Sequence, residues 1–475
     1  MKLAGLTLFC FVSSVAFSQN VALKLSAAIK QLEADAQFKH AILSLYVVDS
    51  KTGKVVFDKN AQVGLAPASC QKVVTSVSAF EMLGKEYRYK TELRYIGYIK
   101  NSDLNGNLYL IGYGDPTLGS WRYSGTDEQT ILKRWLKVLQ QNGIKAIKNH
   151  FIVDDSRFSS QLIPGGWVWE DVGNYYGAGA GALNWRENQF DIILKAGDEP
   201  GKHVEVIGKN PSNYAGPFIN ELTTGTKGSG DNAYIYIPVG DDEWLLRGTI
   251  PAGEKNFKIS GAIKDPSSFL WEEFTRNLDS VKIPFKKVEE KYLVKKNELF
   301  DYTKRGVDTG HIELLDRYFS PPLDSINYWF LKKSVNLYGE AFVKTIAYEK
   351  TKFGSTDTGI NIIKNFWMER GIERSALNII DGSGLSPANR VTTNALVTVM
   401  QYARQQNWFS SFYYALPETN GIKMKDGYIS GVRSYTGYVK SKTGTEYTFS
   451  FIVNNFDGNP GTVREKMWKL LDILK

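Results

Sequence analysis

The sequence predicts a mixed α/β protein of the α+β kind, with one domain split by a large insertion. Three observations carry this. Near the N-terminus a strand pair, "AILSLYVVDSKTGKVVFDKN", is followed by the apolar helix of "PASCQKVVTSVSAFEMLG". Near the C-terminus helical stretches precede "SGVRSYTGYVKSKTGTEYTFSFIVNN", two strands about a tight turn, and an amphipathic helix closes the chain. Between them, from about Gly165 to Pro284, the texture changes to short strand-like runs rich in Gly, Asn and Tyr. The split domain is therefore expected at 19–85 and 290–475, with an inserted region at 86–289.

Taken in order, Leu25, Ile29 and Leu32 recur at helical spacing. Lys51-Thr52-Gly53 has the composition of a polar hairpin turn. The helix from Ser69 carries Val73, Val77, Phe80 and Leu83 on one face and stops at Gly84. In the insertion, "YRYKTELRYIGYI", "GNLYLIGYGDPTL" and "KNHFIVDDSRF" read as strands, and "EQTILKRWLKVLQQNG" as an amphipathic helix. "NAYIYIPVG" and "EWLLRGTI" are further strands, and "YWFLKKSVNLYGEAFVKTIAY" reads as one long helix. The closing helix, Thr462 to Lys475, sets Val463, Met467, Leu470, Leu471 and Leu474 on one side. That stripe suits packing on a sheet; peripheral contact with a membrane is its second use.

An apolar fraction of 43% beside 23% charged residues, over 475 residues, gives a globular chain with a sizeable core. The net charge of +8 comes from dispersed lysines without a basic arm, which argues against nucleic-acid binding and suits contact with anionic envelope polymers. "MKLAGLTLFCFVSSVAFSQN" has a basic start, a short apolar run and small residues before Gln19, so residues 1–18 are expected to be a cleaved signal peptide of an exported, periplasmic protein. Its removal takes Cys10 and leaves Cys70 without an internal disulfide partner.

Ser69 and Lys72 form the chain's one S-x-x-K. Residues i and i+3 share a helix face, so the amine can reach the hydroxyl. A serine hydroxyl is a poor nucleophile until a base takes its proton, and a buried lysine can be that base. Such chemistry needs two companions, an S-x-N element to relay protons and a K-T-G strand edge. K-T-G occurs twice: Lys51-Thr52-Gly53 precedes the serine and reads as a turn, while Lys442-Thr443-Gly444 follows it in the required order. S-x-N in the right region also occurs twice. Ser325-Ile-Asn327 sits at an expected helix start, where both residue types cap, so Ser334-Val-Asn336 is preferred. No cofactor or metal is called for by these motifs.

Together these elements resemble the low-molecular-mass class C penicillin-binding proteins, the D-alanyl-D-alanine carboxypeptidase/endopeptidase family. "PASCQK", "LYLIGYGDPTL", "WVWEDVGNYYGAGAGALN", "RGTIPAG", "SPPLDSINYWFLKKSVNLYGE", "DGSGLSPANR" and "YVKSKTGT" run in the family's order over nearly the whole mature chain. The resemblance implies a β-lactamase/transpeptidase-like domain, an antiparallel sheet flanked by helices, split by two nested small domains. It implies that Ser69 attacks the carbonyl of a terminal D-Ala bond in peptidoglycan stem peptides and becomes the acyl-ester, with Lys72 as proton acceptor. Ser334 with Lys442 would pass a proton to the leaving amine, and Asn336 would hold the peptide amide. Thr443 and Thr445, beside Gly444, would bind the terminal carboxylate, and the N–H groups of Ser69 and Thr445 would form the oxyanion hole. β-Lactam antibiotics would acylate Ser69 and leave slowly. An acidic residue of the family's insert meets the substrate's diamino acid, and Asp171 is the candidate here. Where the family commonly has an arginine after D-G-S-G-L-S, this chain has Pro387, with Arg390 further on. Cys70 reads as a packed apolar side chain.

Rival readings are weaker. A Ser-His-Asp hydrolase lacks G-x-S-x-G, and none of His40, His150, His203 or His311 adjoins a motif. A β-lactamase shares the acylation chemistry but not the large insertion, and a decayed wall-binding protein would not keep every catalytic residue type.

Overall fold

The computed structural model of the chain describes residues 20–214, 216–238, 243–286 and 312–475. The expected signal peptide, His311 and the boundary near 290 lie outside them. The chain divides into two compact units. The first takes residues up to Lys85, then Asn327–Ser334 and Ile360–Lys475; the second takes Glu86–Ile326 and Val335–Gly359.

The first unit is built on one antiparallel sheet. Its elements are α1 over residues 20–33, β1 (Ile42–Asp49), β2 (Val55–Lys59), α2 (Lys72–Leu83), the last turns of α3 (Leu323–Lys332), most of α4 (Thr356–Met368), α5 (Thr393–Ala403), β3 (Glu418–Thr419), β4 (Ile422–Ile429), β5 (Val432–Lys440), β6 (Glu446–Asn454) and α6 (Pro460–Leu471). The strand order is β3-β4-β5-β6-β1-β2. The N-terminal strand pair thus joins the C-terminal strands through β1 and β6, in a register from Ile42 opposite Asn454 to Asp49 opposite Tyr447.

One face of this sheet is covered by α1 and α6. Leu25, Ile29 and Leu32 meet Val463, Met467, Leu470 and Leu471 over Leu45, Val47, Met424, Phe449 and Phe451. The apolar stripe of α6 is therefore used inside the protein, and peripheral membrane contact through that stripe is not what the fold supports. Asn459 caps α6 with its side chain ahead of Pro460. The opposite face carries α5, where Ser44 and Thr393 share a hydrogen bond of 2.7 Å and the Tyr438 hydroxyl donates to Met400 O at 2.6 Å.

Helix α2 buries more than the apolar face of Val73, Val77, Phe80 and Leu83: its residues from Lys72 to Phe80 are all buried. A helix enclosed on every side must satisfy its polar groups internally. Thr75 donates to Gly382 O at 2.6 Å, Ser76 to Asn327 Oδ1 at 2.7 Å, and Ser78 receives the Trp367 indole N–H at 3.0 Å. Asn327, the discarded member of the earlier S-x-N, is thus a buried partner of this central helix.

Among the described residues the second unit contains three sheets. In the largest, strand Ile312–Phe319 pairs with Lys90–Lys100, which pairs with Asp103–Gly112. The others have the orders Asn232–Tyr236, Trp244–Pro251, Phe218–Gly225 and Phe257–Ala262, Gln189–Lys195, Glu205–Asn210. One apolar cluster runs through all three, from Leu93 and Leu108 by way of Trp135, Phe190 and Ile192 to Leu222, Leu246 and Phe274. The three sheets thus share one apolar cluster. Strand Ile312–Phe319 completes the largest sheet, and the helix Asn336–Thr351 packs Tyr348 against Tyr109 and Tyr113.

Candidate active site

Ser69 lies on a short 3-10 turn, Ala68–Gln71, that runs straight into α2. Ala68 holds a positive φ of 46°, a conformation that costs a non-glycine residue energy and persists only where its surroundings enforce it. The enforcing neighbour is the loop "DGSGLS": a methyl group at Gly384 would lie 2.0 Å from the Ala68 oxygen. Asp381 fastens that loop. Its carboxylate accepts from Gln71 Nε2 (2.9 Å), Gly384 N (2.8 Å), Ser386 N (2.7 Å) and Asn389 Nδ2 (3.0 Å). Arg390 turns away from it and donates to Pro387 O and Asn389 O, half in solvent.

Lys72 is fully buried. Its Nζ donates to Ser69 Oγ at 2.8 Å and to Ser383 O at 2.7 Å, and lies 5.8 Å from the centre of the Phe330 ring. A lysine amine in hydrogen-bond contact with a serine hydroxyl on a strained turn is an arrangement for proton transfer from that hydroxyl. Cys70 points away from this chemistry: its Sγ donates to Lys425 O at 3.1 Å, and burial pushes the thiol up to about 11.

Ser334 falls in the same compact unit, in the break between α3 and the helix from Asn336, with φ 56°. The expected single long helix is therefore two helices, and the break exposes Ser334 partly to solvent. Asn336 opens the second helix, in the second unit, and its Nδ2 donates to Tyr176 O at 2.7 Å. In that unit Asp171 lies in the short helix Trp169–Val172. Burial first, then the neighbouring Glu170, pushes its carboxyl up to about 6 against a lowering hydrogen bond from Tyr176. Asp171 and Ser69 belong to different compact units.

The third expected element is placed elsewhere. Lys442-Thr443-Gly444 is the turn between β5 and β6: Lys440 pairs with Glu446, Ser441 N donates to Thr445 O at 2.8 Å, and Gly444 takes φ 88°. Thr443 bonds Ser441 at 2.8 Å and Thr445 N donates to Ser441 Oγ at 3.1 Å, so these polar groups are used within the turn. The strand marks the distance from the serine. Ser434, on β5, donates to Pro67 O at 2.5 Å, and from Ser434 to Lys440 a strand climbs roughly 20 Å at about 3.3 Å per residue. A lysine side chain cannot cover that span. The earlier copy, Lys51-Thr52-Gly53, is also a hairpin turn, fastened by Asp49 Oδ1. Both copies of K-T-G are turns.

The strand that does lie against Ser69 is β4, and the residues there are Lys425-Asp426-Gly427-Tyr428. A methyl group at Gly427 would fall 2.8 Å from both Ser69 N and Pro67 O. Lys425 is 1% exposed; its Nζ donates to Asp426 O at 2.6 Å and Asp426 Oδ1 at 2.9 Å. On its outer side β4 is paired with β3 only at Ile422 and Lys423, so among the described residues no strand covers Lys425 to Ile429 there. An open strand edge beside a nucleophile can take an extended peptide as an added strand. The signal for this element was K-x-G in the right order after "DGSGLS"; a strict demand for threonine hid it.

The sequence pattern of the D-Ala-D-Ala carboxypeptidase 3 (S13) family matches residues 25–421. The chain is 26% identical over 452 residues to a D-alanyl-D-alanine carboxypeptidase of an Actinomadura species, covering 89% of this chain and 80% of that protein. It is 24% identical to the D-alanyl-D-alanine carboxypeptidase DacB of Haemophilus influenzae, covering 85% and 83%. Its fold is similar to the crystal structure of penicillin binding protein 4 from Haemophilus influenzae, with a TM-score of 0.76 at 21% identity, over 94% of this chain and 97% of the other. The fold is mixed α/β throughout, with the antiparallel sheet and flanking helices that the sequence led one to expect.

Proposed function

The chain belongs to the D-Ala-D-Ala carboxypeptidase 3 (S13) family, and from that premise we propose that it is an exported serine DD-peptidase that cuts D-alanyl bonds of peptidoglycan stem peptides through an acyl-enzyme on Ser69. The observation that carries this is the contact of buried Lys72 Nζ with Ser69 Oγ at 2.8 Å. Ser69 Oγ adds to the D-Ala carbonyl as its proton passes to Lys72; the C–N bond then breaks, and the proton reaches the leaving amine through Ser334. Water hydrolyses the ester and returns the proton. Asn336, two residues beyond Ser334, is retained as the partner of the peptide amide on the strength of the motif.

For the third element we propose Lys425 in place of Lys442, because β4 is the strand that abuts Ser69. The backbone N–H of Ser69 and of Tyr428, the residue after Gly427, would then form the oxyanion hole, a role the sequence motif had given to Thr445. Thr443, Gly444 and Thr445 drop out of the proposed site with Lys442. Asp171, with a carboxyl that changes charge near neutrality, stays as the proposed partner of the diamino acid. β-Lactams acylate Ser69 by the same addition. Export with cleavage near Ser18 into the periplasm is part of the proposal. Among the described residues, no helix is long and apolar enough to cross a membrane.

The test is digestion of purified peptidoglycan fragments followed by mass spectrometry. Loss of a terminal D-Ala or conversion of cross-linked dimers to monomers is expected, and the absence of both products would refute the assignment. A chromogenic β-lactam separates the β-lactamase reading, since one-time trapping is expected and rapid turnover would favour the rival.

A further inference from the structure

We propose that Asp426 makes this site select bonds whose leaving residue carries no free carboxylate, one that is amidated or that continues as a peptide. The inference rests on the DD-peptidase reading and extends it to substrate class. In the motif expected from the sequence, hydroxyls follow the lysine and the glycine and hold a carboxylate beside a cation. On β4 those two positions are Asp426 and Tyr428.

Each feature of β4 acts in the same direction. Asp426 is the neighbour of Gly427, which packs on Ser69, and its side chain is 46% exposed at the uncovered strand edge. Its carboxylate accepts from Lys425 Nζ at 2.9 Å, so the ammonium that would face an incoming anion is already matched. The Lys425 charge first, with Arg433 adding to it, holds the Asp426 carboxyl below the usual carboxylate range against the opposing effect of burial, which keeps it ionised at neutral pH. Arg433 stands opposite Tyr428 on β5 and lies over its ring, 4.8 Å from the centre. A terminal D-Ala carboxylate at this edge would lose the hydroxyl donor that follows the lysine and meet a fixed negative charge. Removing attraction and adding like-charge repulsion is how a site discriminates against one of two similar ligands.

The experiment compares kcat/KM at pH 7.5 for two peptides that differ only at the C-terminus, D-Ala-D-Ala as the free acid and as the amide, with the wild type, Asp426→Thr and Asp426→Asn. The asparagine keeps an acceptor for Lys425 Nζ and removes only the charge. The wild type is expected to favour the amide by about tenfold or more, and both variants to move the ratio toward the acid by about tenfold. Acylation by benzylpenicillin, which bears a carboxylate, should speed up in both variants, read by intact mass. If the wild type cleaves the acid at least as well as the amide and neither variant changes the ratio, the role of Asp426 is overturned while the DD-peptidase reading stands. If the wild type cleaves neither peptide and is not acylated, that reading falls and this inference falls with it.

Discussion

Gly427 lies so close to Ser69 that a methyl group at position 427 would sit 2.8 Å from the Ser69 nitrogen. The Ser434 hydroxyl, nearer still, could rotate away, but Ser69 N and Pro67 O are backbone atoms that no rotamer change moves. Gly427→Ala is therefore expected to push the turn carrying Ser69 away from β4 and to slow penicillin acylation by about a hundredfold, the scale on which small misplacements act. Acylation at the wild-type rate would show that β4 does not form this wall of the site.

Lys425 and Lys442 separate the two candidate third elements. Lys425→Ala should lose acylation by about a hundredfold or more, because it removes a buried cation from the strand that packs on Ser69. Lys442→Ala should acylate as the wild type does, since Lys442 is an exposed turn residue. Stopped-flow measurement with a fluorescent penicillin gives both rates, and the reverse pattern would restore the turn.

Lys72→Ala removes the amine that contacts Ser69 Oγ. A loss of acylation of about a thousandfold is expected, with weak reversible binding of the β-lactam retained. Direct titration under non-acylating conditions reads the binding, and an unaltered acylation rate would remove Lys72 from the chemistry.

The nucleophile and its amine were legible because their spacing is local: three residues on a tightening helical turn meet whatever the rest of the chain does. The third element was not, because lysine, threonine and glycine are also good hairpin-turn residues, and both copies of that triplet are turns. Only the sheet order, which sets β4 next to the serine turn, identifies Lys425. Ser334 was assigned by motif but placed in a continuous helix; the break at φ 56° has no helix-breaking residue to announce it. The pairing of strand Ile312–Phe319 with Lys90–Lys100 was not legible either, because it spans a separation no periodicity reports.

Asp115 gives a pH dependence outside the site. It is 1% exposed, and burial, against hydrogen bonds from Thr117, pushes its carboxyl up to about 6. A group whose folded pKa is raised contributes stability at low pH that is lost as pH rises through the folded value. Between about pH 4 and pH 6 and above, the protein should lose up to about 3 kcal/mol through this residue. Urea midpoints for Asp115→Asn should fall less over that range than those of the wild type. Equal slopes would place the titration elsewhere.

The central claim is that Ser69 is acylated. Peptide mapping by mass spectrometry after benzylpenicillin treatment tests it directly, on the wild type and on Ser69→Ala. One penicilloyl adduct is expected on the peptide that contains Ser69 and none on the variant, whose fold is expected to be intact. An adduct that persists on Ser69→Ala, or that maps to another residue of the wild type, would contradict it.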